Sequence, residues 1–395
     1  MLKNVFKYGM MGMAVFSFCC CRKSYAPPEV NANHLFLSVD GLINTGPNNI
    51  STFKLTRSQK LSDTVPSIPE KGATVTIKDG TGGSYPLIDT GSNGIYVSTV
   101  LSLDPAQQYS LSITTADGNQ YASDPVNSKQ PPPIDSVNWT LGFDGAANTE
   151  AVNIYVNTHD PSNKTRFYRW DFIETWTHES LYRTFYLIQN KRIVYVSDSN
   201  QHPWHCWTSA PSTNILLGSS GGLSADVISQ APITRIFQND PRMDIKYSIL
   251  VKQYALDSSA YDYWLLVQRQ SESLGGLFDI QPAQLIGNIH NLKEAAEPVY
   301  GFVSASGVQK QRIFISNQDL PGWKSVPTQE CKGDIFTPQP DQGQDLFGYY
   351  NIDPNFTFLH FDVDSHGNPV QILITPACID CTFQGGSTVK PPFWQ

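Results

Sequence analysis

The stretch GATVTIKDG, residues 72–80, decides the fold class. Ala73, Val75 and Ile77 alternate with Thr74, Thr76 and Lys78, so an extended chain has one apolar face, and Asp79-Gly80 supplies a turn. Period two over β-branched residues predicts a half-buried strand in an antiparallel sheet. The pattern recurs on both sides. HLFLSVDGLI from His34 and ISTFKLTR from Ile50 precede it. YPLID from Tyr85, GIYVS from Gly94, YSLSITT from Tyr109 and QYAS from Gln120 follow, the last two joined by the hairpin pair Asp117-Gly118. Short strands at turn-sized intervals, with no helix-period segment between them, predict an Ig-like β-sandwich over 34–128.

KQPPPIDSV, from Lys129, marks a boundary. Consecutive prolines favour an extended rod, so 129–135 is expected to act as a semi-rigid linker. Residues 136–395 then form a larger, β-rich α+β domain with few helices. Its strands include AVNIYVN from Ala151, RFYRWDFIETW from Arg166, IKYSILVKQY from Ile245, VYGFVSAS from Val299 and QRIFIS from Gln311. One helix is predicted after Asp257 or Ser258 as cap, with Tyr261, Trp264, Leu265 and Gln268 on a shared face and Gly275-Gly276 as its stop.

The amino terminus has another character. Lys3 and Lys7 precede a short apolar run, Met10 to Phe18, and three adjacent cysteines close it in FSFCCCRKSYAPP, residues 16–28. The run is shorter than the roughly 20 residues of a spanning helix and matches a signal peptide that ends on cysteine. Residues 1–21 are expected to be a bacterial lipoprotein signal, with Cys21, or alternatively Cys20, as the lipidated residue. Residues 22–33 would be a tether. The expected location is the outer membrane, reached through a palmitate-type anchor, with the facing leaflet left open.

The 395 residues carry a net charge of −8 without basic runs, which argues against nucleic acid as a partner. Charged residues make up 16% and aromatics 12%, the composition of an ordered chain. Beyond the signal stand Cys206, Cys331, Cys378 and Cys381. In an exported chain an even number predicts disulfides, with three pairings open, over a zinc site or a redox Cys-x-x-Cys at Cys378 and Cys381.

Four motifs suggest chemistry. GSSGG, 218–222, matches a nucleophile elbow around Ser220, but lacks the strand–helix alternation of a hydrolase. HPWHCW, from His202, groups His202, His205 and Cys206; disulfide pairing and aromatic packing explain it better than metal. DVDSHG, from Asp362, begins like a calcium loop, yet Leu373 stands where the closing carboxylate belongs, so a hairpin is expected. RFYRWDFIETW mixes Arg169, Asp171 and Glu174 with five aromatics, either a binding face or a core strand with one arginine–carboxylate pair. Arg169, Trp170, Trp176, Trp204 and Trp207 are the candidate binding residues. No catalytic residue, metal ligand or cofactor motif is assigned.

GATVTI from Gly72, PPIDS from Pro132, YRWDFIETW from Tyr168, YSILVKQYAL from Tyr247, YDYW from Tyr261, CKGD from Cys331 and CIDCTFQGGSTVKPPFW from Cys378 occur in one order. This order resembles a family of Bacteroidota outer-membrane lipoproteins known as domain of unknown function 4249. The resemblance implies a place beside TonB-dependent receptors and a prealbumin-like N-terminal domain; it carries no catalytic residues. Asp63-Thr64-Val65 and Asp135-Ser136-Val137 resemble the O-glycosylation triplets of that phylum. The expected function is a lipid-anchored, non-catalytic binding or scaffold protein accessory to a TonB-dependent receptor in nutrient uptake or envelope assembly, with a glycan or peptide ligand. The competing readings are an envelope hydrolase acting on glycans or peptides and a surface glycan-binding adhesin.

Overall fold

The structure, a computed structural model, describes residues 35–59, 68–197, 202–271, 285, 287–325, 330–349 and 355–395. Cys20, Cys21, the tether, Asp63-Thr64-Val65 and Gly275-Gly276 lie outside the described residues. The described chain is mainly β.

Among the described residues nine strands precede the proline segment: β1 (Leu37–Asn44), β2 (Thr52–Arg57), β3 (Ile68–Pro69), β4 (Thr74–Asp79), β5 (Ser84–Asp89), β6 (Ile95–Ser98), β7 (Gln108–Thr114), β8 (Gln120–Ser123) and β9 (Val126–Lys129). Alternation does what the sequence requires. Ala73, Val75 and Ile77 are buried with Phe53, Leu55, Tyr109, Leu111 and Ile113 in one core. Asp79 holds the β4–β5 turn by accepting from the amides of Thr81 and Gly83.

The hydrogen bonding departs from two separate sheets. It runs β7–β4–β5–β6–β2–β1, crosses to a strand from the far part of the chain, continues to β9 and returns to β7. The result is a closed, barrel-like ring. Its distant member comes later in the chain order β10 (Ile134–Asp144), β11 (Thr149–Asp160), β12 (Phe167–Glu179), β13 (Tyr186–Gln189), β14 (Arg192–Tyr195), β15 (His205–Pro211), β16 (Leu216–Ser219), β17 (Asp226–Phe237), β18 (Lys246–Leu256), β19 (Ile289–Asn291) and β20 (Ser304–Ser306). β20 lies parallel to both β1 and β9, and β19 pairs with β8. The segment from 288 to 307, read in the sequence as part of the second domain, thus completes the first.

Gly301 explains how that segment lies so close to β1. It has φ +126°, and a Cβ there would sit 2.0 Å from the carbonyl oxygen of Val39. The neighbouring Tyr300 exchanges backbone hydrogen bonds with Leu37 and Val39 at 2.9 and 2.8 Å. Gly301→Ala should therefore lower stability by at least about 2 kcal/mol in denaturant titration, from backbone strain and lost pairing. Gly222→Ala, with open space around it, is the control. Equal effects of the two would refute this account of the joint.

The proline segment, expected as a semi-rigid linker, is packed between the units. Pro131 and Pro132 are buried, and the carbonyl of Pro132 accepts from Gln253 Nε2 at 2.9 Å. Gln253, fully buried, also donates to Thr158 Oγ1 and accepts from Trp170 Nε1. A buried amide with its donors and acceptor matched fixes the segment between the units.

In the second unit β10–β11–β17 form one sheet, and β15–β12–β18–β21 (β21, Gln309–Ser316) another, with β16 also pairing β12. Val152, Ile154 and Val156 share a core with Tyr168, Trp170, Phe172, Tyr247, Ile249 and Val251. Trp170 is 1% exposed, so it is a core residue and not part of a binding face; Trp176 packs, half-buried, against the same core. The helix α1 (Ser258–Ser271) is capped by Asp257, whose carboxylate accepts from the Ala260 amide at 2.7 Å. Three final strands, β22 (Gly333–Phe336), β23 (Thr357–Val363) and β24 (Pro369–Ile374), form a small sheet. The β23–β24 turn is held by Asp364, which accepts from the amides of His366 and Asn368, so the DVDSHG stretch is a hairpin. Disulfides join Cys206 to Cys381 and Cys331 to Cys378. Among the described residues no helix is long and apolar enough to cross a membrane.

Candidate functional site

β12 splits its residues by parity. Tyr168, Trp170, Phe172 and Glu174 point into the core, while Arg169 and Asp171 take the opposite face. In register, Arg169 stands across from Tyr254, and Asp171 across from Lys252. Lys252 Nζ lies 3.2 Å from Asp171 Oδ1, and the Tyr254 hydroxyl donates to Asp171 Oδ2 at 2.7 Å. Burial, then the Asp171 carboxylate, pushes the Tyr254 pKa upward and keeps that hydroxyl protonated.

This face looks onto β1 and β2 of the ring, where Asp40 and Lys54 are likewise cross-strand neighbours. Trp264 of α1, with Phe302 and Ser304 of the returning segment, closes the space between them. The result is a two-lobed cleft of about 380 and 620 Å³; the lobes share Asp40, Arg169, Asp171, Lys252 and Trp264. Such volumes suit a small-molecule site.

The Arg169 guanidinium lies 3.9 Å from the centre of the Trp264 ring. That stacking fixes its direction. Among the described residues six buried side-chain polar atoms lack a hydrogen-bond partner; Asp171 Oδ1 is one, but it is ion-paired with Lys252, whereas Arg169 Nε and Ser304 Oγ have no partner. Both of these last residues line the cleft. Buried polar atoms are normally satisfied, so their convergence on one cavity marks a place built to be filled.

Trp204 and Trp207 lie elsewhere. With Glu179, His202, Pro203, His205 and Thr388 they line an open pocket beside the Cys206–Cys381 bridge. His205 Nδ1 sits 3.3 Å from Glu179, and Arg183 covers the Trp204 ring at 3.3 Å. Trp207 Nε1 and His202 Nδ1 are two more of the unpartnered atoms. Among the described residues, the ligand-type cluster close enough to share an ion is His178 with Cys206 and Cys381, and the disulfide takes both sulfurs. Burial lowers the pKa of His178 and of His202. An unfolded imidazole therefore binds protons more readily than these folded ones, so their stabilising contribution is complete above about pH 6.5 and is lost as pH falls below it. Denaturant midpoints should be lower at about pH 5.5 than at about pH 7.5, and His178→Gln with His202→Gln should reduce that difference. An unaltered difference would refute the assignment.

The remaining motifs are structural. Ser220 is fully buried and donates to Asp226, which also accepts from Tyr168; GSSGG is a packed turn, with Gly218 against the Trp170 ring. The arginine–carboxylate pair expected within RFYRWDFIETW uses Glu174, but its partner is Arg242, at 2.9 and 2.8 Å. Nothing in the spacing of Glu174 and Arg242 announces that pairing. The cleft leaves no mark in the sequence because its walls come from five separated stretches, within 38–54, 169–173, 211–215, 252–267 and 285–310, although the parity of β12 singles out Arg169 and Asp171.

No curated protein matches the chain. The profile of a family described as domain of unknown function (DUF4249) matches residues 23–312. That stretch contains every residue lining the cleft, and it ends before Cys331, Cys378 and Cys381. The match spans well over half of the chain, and the chain belongs to the DUF4249 family.

Proposed function

We propose that this chain is a non-catalytic, lipid-anchored binding protein of the outer membrane, working beside a TonB-dependent transporter in nutrient uptake or envelope assembly. The observation that carries the binding role is the cleft, where a ring-stacked arginine keeps a buried Nε without an acceptor and Ser304 Oγ is buried without a partner. Residues suited to hydrolysis are committed elsewhere. Ser220 is sealed against Asp226, Glu174 is held by Arg242 and Tyr247, and Asp171 is engaged by Tyr254 and Lys252. This favours binding over the hydrolase reading.

Anchoring rests on Lys3, Lys7, the apolar run and Cys21, or alternatively Cys20. The transporter rests on the context that the family resemblance implies. Kinship of the closed ring with Ig-like or prealbumin-like sandwiches belongs to the same proposal. The test is palmitate labelling with fractionation, followed by purification from detergent-solubilised outer membranes. Labelled protein retaining a transporter is the expected result, with label and membrane association lost when Cys20 and Cys21 are both replaced by serine. An unlabelled chain that floats free and purifies alone would overturn the proposal.

A further inference from the structure

We infer that the cleft binds a sugar acid, a hydroxylated ring bearing a carboxylate, with Arg169 as the carboxylate clamp. The inference rests on the binding role proposed above and adds the class of ligand.

Charge selects an anion. The lining carries Lys54, Arg169, Lys252 and Lys310 against Asp40 and Asp171, in a protein whose net charge is −8. Asp40 and Asp171 each face a lysine across a strand pair, Lys54 and Lys252. That leaves Arg169 and Lys310 as the cations without a cross-strand carboxylate. Arg169 is half-buried, is fixed on Trp264 and keeps a buried Nε without an acceptor. A planar guanidinium so held matches the two oxygens of a carboxylate.

The other unpartnered atom favours a ligand that carries hydroxyls as well as charge. Asp171 is already held by Lys252 and Tyr254, but Ser304 Oγ, buried and without a partner, can both donate and accept. Acetate supplies acceptors alone and phosphate has no apolar face, whereas a sugar ring supplies donors, acceptors and C–H surface. Trp264 and Phe302 add apolar surface for the C–H faces of a ring. The two joined lobes give length for more than one ring.

The test is titration calorimetry on the full mature chain with glucuronate, galacturonate, mannuronate and their short oligomers. Glucose, galactose, acetate and inorganic phosphate are the comparators. At least one sugar acid should bind, and its neutral parent and the simple anions should bind much more weakly. Arg169→Met should weaken binding roughly ten- to a hundredfold, the loss of one or two charge-assisted bonds. Lys310→Met, at an exposed position, should weaken it by a few-fold and flatten its dependence on salt. Both variants should retain the wild-type unfolding midpoint. A neutral sugar, acetate or phosphate binding as tightly as the best sugar acid would overturn the inference. So would silence of the whole panel, or binding indifferent to both variants. If the panel is silent while a transporter still co-purifies, the ligand class falls and the binding role stands.

Discussion

Arg242→Ala should cost about 3–5 kcal/mol of folding stability, the largest single-residue effect expected in this chain. Glu174 is 6% exposed, and its carboxylate receives both bonds from Arg242 Nη1 and a third from the Tyr247 hydroxyl at 2.6 Å. Hydrogen bonding to Asp240 raises the Arg242 pKa far above its ordinary value, and burial with Glu174 nearby does the same to Tyr247. Alanine at 242 leaves a buried carboxylate facing a hydroxyl alone. The penalty comes from stranding that charge, not from the worth of the pair. Glu174→Leu with Arg242→Met should therefore recover most of the loss, because apolar groups of similar volume need no partner. Denaturant midpoints of the three variants decide this. A double variant as unstable as Arg242→Ala would refute the stranded-charge account.

Removing the Cys206–Cys381 bridge should cost about 2–4 kcal/mol. The linked residues are 175 apart in sequence, against 47 for Cys331–Cys378, so the first bridge closes much the longer loop. It also ties the terminal segment to β15, where Trp207 exchanges backbone hydrogen bonds with Ser387. Beyond it Trp394 is buried against Phe314, and Lys246 reaches the Gln395 carbonyl. Cys206→Ala with Cys381→Ala should admit protease between about 376 and 395 before the ring is touched, since local opening precedes global unfolding where few contacts remain. Cys331→Ala with Cys378→Ala should be milder. Equal midpoints, or first cleavage within the ring, would contradict this order.

The legible parts of the fold were those set by local periodicity. GATVTIKDG, the Asp117-Gly118 hairpin, the Asp257 cap and the β23–β24 turn all depend on residues within one or two turns of chain. Long-range closure left no such mark. β20 is three residues long, Ser304–Ser306, and small side chains give no pattern that separates a ring-closing strand from a loop. The proline segment shows a related limit: its composition sets an extended, semi-rigid backbone, but its burial depends on Gln253, more than a hundred residues away. At the site, Arg169 stood out by type, while Trp170 beside it drew the same attention and is core. Alternation along the strand distinguishes them, once one knows which face the core takes. The cysteines announced disulfides, and only three dimensions chose the pairs.

The claim on which most depends is that the space between ring and second unit holds a small molecule. Native mass spectrometry of the protein extracted from its own membranes tests it most directly. Wild-type protein should arrive with a dissociable adduct of small-molecule mass, and Arg169→Met should arrive without it. Wild type and variant each arriving at its own bare mass, with no adduct on either, would contradict the claim.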